Sequence, residues 1–156
     1  MATSSPALLD PARSTPDVAE QRARTRAIVS PRSGERGLDI GCGFGLLACE
    51  LARDVGPTGR VMGVDAVPDM IAACEERARH DAVSGRTEFR QAAAEALPFG
   101  PREATLAADL YRVVRRARQR EFDLGVAACA LAGGAALWTL NAQDFRDIPG
   151  LDLFEA

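Results

Sequence analysis

One run constrains this chain more than any other: Leu38-Asp39-Ile40-Gly41-Cys42-Gly43-Phe44-Gly45, followed by a second apolar stretch ending in Val64-Asp65. The pattern predicts a buried strand, a tight turn and a helix opening at Phe44. Glycine has no Cβ, so at Gly41 and Gly43 the backbone can bend sharply and come close to a ligand. Gly45 lets the new helix lie against the strand. The N–H groups at a helix start can then face a polar ligand group. Asp65 comes twenty positions after Gly45, where the next parallel strand ends beside the first. A carboxylate there accepts hydrogen bonds from both hydroxyls of a ribose. These residues describe a nucleoside-binding crevice.

The spacing is Asp-x-Gly-x-Gly-x-Gly, not the Gly-x-Gly-x-x-Gly of dinucleotide enzymes. Through Gly34–Gly45, Gly59–Asp65 and Glu95-Ala96-Leu97-Pro98-Phe99 the chain resembles the class I S-adenosylmethionine (SAM)-dependent methyltransferases, especially the small-molecule C-methylase-like group. The resemblance covers about residues 20–99. It implies a Rossmann-like α/β three-layer sandwich, SAM as cofactor and a small-molecule methyl acceptor. Cofactor-binding residues on this resemblance are Asp39, Gly41, Cys42, Gly43, Gly45, Asp65, Ala66 and Glu95. Family members commonly carry an Asp near Ala93 that accepts from the adenine amino group. This chain reads Ala92-Ala93-Ala94-Glu95 there, so either Glu95 substitutes or the contact is absent. No catalytic residue is identifiable.

The chain has 156 residues and 47% hydrophobic content, enough for one packed domain. Its net charge of −3 does not mark a nucleic-acid binder, and there is no DNA signal. All nineteen basic residues are Arg, which reads as compositional bias. Cys42, Cys49, Cys74 and Cys129 form no C-x-x-C pair and share no metal spacing with His80. They predict free thiols in a reducing compartment. No membrane-length apolar run or signal-peptide pattern occurs, so the expectation is a cytoplasmic protein with no membrane partner.

Residues 1–17 read as a disordered tail, and Val18–Val29 as a helix bearing Arg22, Arg24 and Arg26. In methyltransferases a helix here often lids the cofactor, although a solvated face is the commoner fate of such charges. Strands are expected at Leu38–Ile40, Val61–Val64 and Thr87–Gln91, with helices from Phe44 to Arg53 and after Pro68. This alternation implies a parallel sheet.

Beyond about residue 102 the text changes. A helix is predicted over Arg102–Arg120, followed by Phe122-Asp123-Leu124 through Leu131, a Gly-Gly turn, and Thr139-Leu140-Asn141 through Asp144-Phe145. This portion resembles the C-terminal half of VapC-type PIN-domain ribonucleases. That resemblance implies a divalent-metal site, Mg²⁺ or Mn²⁺, with Asp123, Asn141 and Asp144 as ligands and Thr139 orienting them. The bland alternatives are Asp123 as an N-cap, Asn141 as a turn former and Asp144 as a surface acid. Two acids that the PIN class needs have no counterpart here.

Both families are parallel sheets ordered 3-2-1-4-5. The expectation is therefore a hybrid: residues 18–99 as a SAM-binding half and 100–156 completing the same sheet, with strands at Ala136–Leu140 and Leu151–Phe154. The leading function is a SAM-binding, methyltransferase-like protein of weak or absent turnover, since the acceptor half is not recognisable. The alternatives are a metal-dependent ribonuclease toxin fragment, with RNA or an antitoxin as partner, and a non-catalytic hybrid.

Overall fold

The computed structural model describes residues 15–92, 100–114 and 117–154. The chain divides into two compact units, Met1–Ala93 and Ala94–Ala156.

The first unit runs α1 (Pro16–Val29), β1 (Arg36–Ile40), α2 (Leu46–Asp54), β2 (Arg60–Asp65), α3 (Pro68–His80) and β3 (Thr87–Gln91). The three strands are parallel and ordered β1-β2-β3, with Asp39 opposite Gly63 and Gly63 opposite Phe89. Parallel neighbours need a crossover, and α2 and α3 supply both. The core is made of small side chains: Ala48, Cys49 and Ala52 of α2, Val55, Val61, Ala78 and Val83, with Leu51 and Phe89 packed against them. Small residues let the helices lie close to the sheet. The Phe89 ring fills the space above Gly63, where a Cβ would stand 2.7 Å from a ring carbon.

β1 departs from the buried strand expected. Among the described residues it pairs with β2 alone, and Leu38 is 44% exposed. Of the arginines of α1, Arg24 is exposed, the solvated fate, whereas Arg22 and Arg26 turn to α2. Arg26 forks onto Asp54 at 2.6 and 2.7 Å, and Arg22 Nε meets Glu50 at 3.1 Å. Both acids lie on α2, so α1 is latched to α2 by paired charges. The fork onto Asp54 raises the Arg26 pKa further.

The second unit holds α4 (Pro101–Val113) and α5 (Glu121–Gly133), which pack on each other, and a 3₁₀ turn at Ala142–Asp144. α4 stops seven residues short of the expected Arg120 (120 − 113), because Val114 turns to an extended conformation. In α5, Leu124 to Ala128 are buried in succession, the mark of a helix covered on all sides. Of the two strands expected here, a single parallel bridge between Leu137 and Leu153 is present. Leu137 N–H donates to Asp152 O at 2.8 Å, and Phe154 N–H donates to Leu137 O at 2.9 Å. Leu140, expected to close the first of these strands, is 77% exposed.

Candidate cofactor site

The sequence-predicted cofactor residues of the first unit meet at the carboxyl ends of β1 and β2. Gly41, Gly43 and Gly45 all have positive φ, at 77°, 53° and 70°. This is left-handed backbone that other residues adopt only under strain. Gly41 and Cys42 donate their N–H groups to Val64 O at 2.8 and 3.0 Å, which anchors the bend to β2. Gly45 N–H closes the turn onto Cys42 O at 2.9 Å. Gly45 then caps α2, and a Cβ on it would stand 2.9 Å from Cys74 Sγ. A Cβ on Gly41, by contrast, would meet nothing within 4 Å. The bend is therefore packed beneath and open above Gly41.

Asp65 closes β2 with its carboxylate turned to the bend. Its Oδ2 accepts from Gly43 N–H at 2.9 Å, and its Oδ1 accepts from Val67 N–H at 3.0 Å. A carboxylate oxygen has two lone-pair sites, so each oxygen keeps one for a ligand hydroxyl. Ala66 is exposed beside it, its carbonyl accepting from Gln91 Nε2 at 3.2 Å. Glu95 lies outside the described residues.

Asp39 sits behind the bend. Burial, and secondarily the charge of Asp65, push its carboxyl pKa up to about 6, against the opposing hydrogen bond from the Ala48 backbone. Its Oδ2 is buried with no hydrogen-bond partner among the described residues. A buried acceptor left without a donor is costly, and an incoming donor relieves that cost.

The thiols of Cys42 and Cys74 lie 3.8 Å apart under the bend, an adjacency that residues thirty-two positions apart do not disclose in sequence. The Cys74 thiol donates to Gly43 O at 3.1 Å, and Arg77 Nε donates to Phe44 O at 3.1 Å. From sequence Cys74 is expected only as a free thiol, and Arg77 has no expected role. The signal available was their i, i+3 spacing on one face of a helix that follows the ribose-type Asp.

Of the residues expected to bind metal in the second unit, Asp123 and Asp144 lie near the Arg120 guanidinium and Asn141 lies against Asp144. Arg120 forks onto Asp147 at 2.9 Å through each Nη, and its Nη2 also donates to the Asp144 carbonyl. Asp123 Oδ2 is 3.9 Å from Arg120 Nε. Asn141 donates its side-chain amide to the Asp144 carboxylate, and Thr139 Oγ1 accepts from Asn141 N–H at 3.2 Å. Among the described residues no three His, Cys, Asp or Glu side chains converge as a metal site. The fork with Arg120 holds the Asp147 pKa below the usual carboxylate range, while burial raises that of Asp123. The chain supplies positive charge to Asp147 through the Arg120 fork.

A family model described as "Methyltransferase domain" matches residues 38–122, more than half of the chain. The chain belongs to that family. The match runs past the join expected near residues 99–102 and takes in all of α4. This methyltransferase domain is also similar to the ubiquinone/menaquinone biosynthesis C-methyltransferase UbiE of Pseudomonas putida, 47% identical over 68 residues, 44% of this chain and 27% of that one. The chain thus spans about a quarter of the length of the curated relatives it matches. Among solved structures, a SAM-dependent methyltransferase from Aquifex aeolicus superposes with a TM-score of 0.50 at 20% identity, covering 61% of this chain and 53% of that chain, a likeness of fold. A Geobacter sulfurreducens SAM-dependent methyltransferase in complex with S-adenosyl-L-homocysteine gives 0.44 at 30% identity, over 52% and 30%. No helix among the described residues is long and apolar enough to cross a membrane.

Proposed function

We propose that this methyltransferase domain binds SAM in the bend at Gly41–Gly45 and serves methyl transfer to a small-molecule acceptor, as the name of its UbiE relative suggests. The observation that carries the reading is the Asp65 carboxylate, fixed by two backbone N–H groups against an open glycine bend. In that position its two spare lone pairs receive the ribose hydroxyls. The unpartnered Asp39 Oδ2 suits the cationic amino group of the cofactor's methionine portion, and such a charge would draw the Asp39 proton off.

Bound SAM supplies an electrophilic methyl on a sulfonium. The chain's contribution is alignment, which accounts for much of the rate in such transfers. Asp65 orients the ribose, the bend brings backbone against the ligand, and Asp39 fixes the far end. Titration calorimetry with S-adenosylhomocysteine tests the reading. Saturable binding by the wild type that is lost in Asp65→Ala is the expected result, and binding indifferent to that substitution would refute it.

A further inference from the structure

We propose that Cys74 and Arg77 of α3 are positioning residues for the cofactor loop, acting on its carbonyl groups and not on the ligand. The proposal rests on the cofactor reading above. Consecutive peptides of the loop point their carbonyls at one helix: Gly43 O accepts from the Cys74 thiol and Phe44 O from Arg77 Nε, each at 3.1 Å. In a planar trans peptide the C=O and the following N–H point in opposite directions. Tying Gly43 O to α3 therefore turns the Phe44 N–H away from α3. Tying Phe44 O does the same for Gly45 N–H, which closes the turn on Cys42 O.

The ties matter because of what surrounds them. Gly43 and Gly45 flank Phe44, and peptides beside glycine rotate at little steric cost. Left alone, such a loop samples several arrangements. Two side-chain donors three residues apart on one helix face select one of them. Cys74 is fully buried beneath Gly45, and its thiol is held protonated by its contact with the Cys42 thiol and by burial, so it stays a donor. Asp65 completes the arrangement on the other side by accepting from Gly43 N–H. The loop is thus gripped by α3 through its carbonyls and by β2 through its amides.

Affinity falls by the fraction of protein in the binding-competent arrangement, so loss of one tie that leaves about a tenth competent weakens binding about tenfold. The test uses the full chain. S-Adenosylhomocysteine affinity is measured for Arg77→Ala, Arg77→Lys and the control Arg60→Ala, whose guanidinium bonds the Pro57 and Gly59 carbonyls away from the loop. Unliganded melting temperatures and the amide resonances of Gly43, Phe44 and Gly45 accompany each variant. Arg77→Ala is expected to bind about tenfold more weakly and to move those resonances without ligand, Arg77→Lys to recover most of both, and Arg60→Ala to do neither. Unmoved loop resonances, or affinity lost only in step with melting temperature, would overturn the inference. A wild type that fails to bind S-adenosylhomocysteine overturns the cofactor reading instead, and the unliganded resonances still report whether α3 sets the loop.

Discussion

The two units of the chain each bring acidic side chains together, and they do so for different ends. In the first, Asp39 and Asp65 stand where two parallel strands finish, and the hydrogen bonds they receive come from backbone amides. In the second, Arg120 forks onto the Asp147 carboxylate and donates to the Asp144 backbone carbonyl, with Asp123 3.9 Å from its Nε. Backbone amides take up part of a carboxylate's accepting capacity and leave the rest for a ligand. A forked guanidinium takes up nearly all of it. A carboxylate therefore serves a ligand only where its protein partners leave lone pairs over, as they do at Asp65 and do not at Asp147.

The largest test of this contrast is Asp65→Ala. It removes two charge-assisted ligand contacts worth about 1.5–3 kcal/mol each, so S-adenosylhomocysteine affinity should fall at least about a hundredfold by calorimetry. A loss under tenfold would place the two clusters on the same footing. Next in size is Leu124→Ala, a fully buried side chain of α5, expected to cost about 3 kcal/mol. Hydrogen exchange should quicken across residues 121–133 while residues 36–65 and the ligand affinity hold. Equal acceleration in both segments would show that the units unfold as one.

A smaller effect concerns pH. The folded pKa of Asp39, about 6, lies above the ordinary value of 3.8, so the folded state prefers the protonated form. Its contribution to stability is full below about pH 4, declines through pH 6 and is gone above it. Asp39→Asn should erase that slope and raise stability at pH 7 by about 2 kcal/mol in denaturant titrations, at the cost of ligand affinity. The smallest change is Arg26→Ala, which breaks a part-buried fork and should cost about 1 kcal/mol in thermal unfolding, with ligand affinity intact.

Much of the first unit was legible in advance, since its determinants are local. Gly41, Gly43, Gly45 and Asp65 act through backbone conformation and strand length, both written in residue type and spacing. Arg22 and Arg26 were not legible, because their partners Glu50 and Asp54 lie twenty-eight positions on and nothing local marks the pairing. The same holds for the α3 contacts of Cys74 and Arg77. In the second unit, the apolar periodicity of 102–120 suggested one long helix, yet α4 ends at Val113. Arg120 instead joins Asp147, twenty-seven residues later, and Gln119 beside it takes a positive φ of 71°. Long-range pairing overrode local propensity there. The strand pattern of 136–140 likewise yielded one bridge, from Leu137 to Leu153.

The guanidinium at the hub of the second unit has a practical meaning. Positive charge fixed to the polypeptide is not exchangeable with the medium, so the Asp147 carboxylate keeps its counter-charge whatever divalent ions are present. A chelator should leave this fork unchanged. Concentrated salt, which weakens the attraction of part-exposed charges, is the reagent that should loosen it.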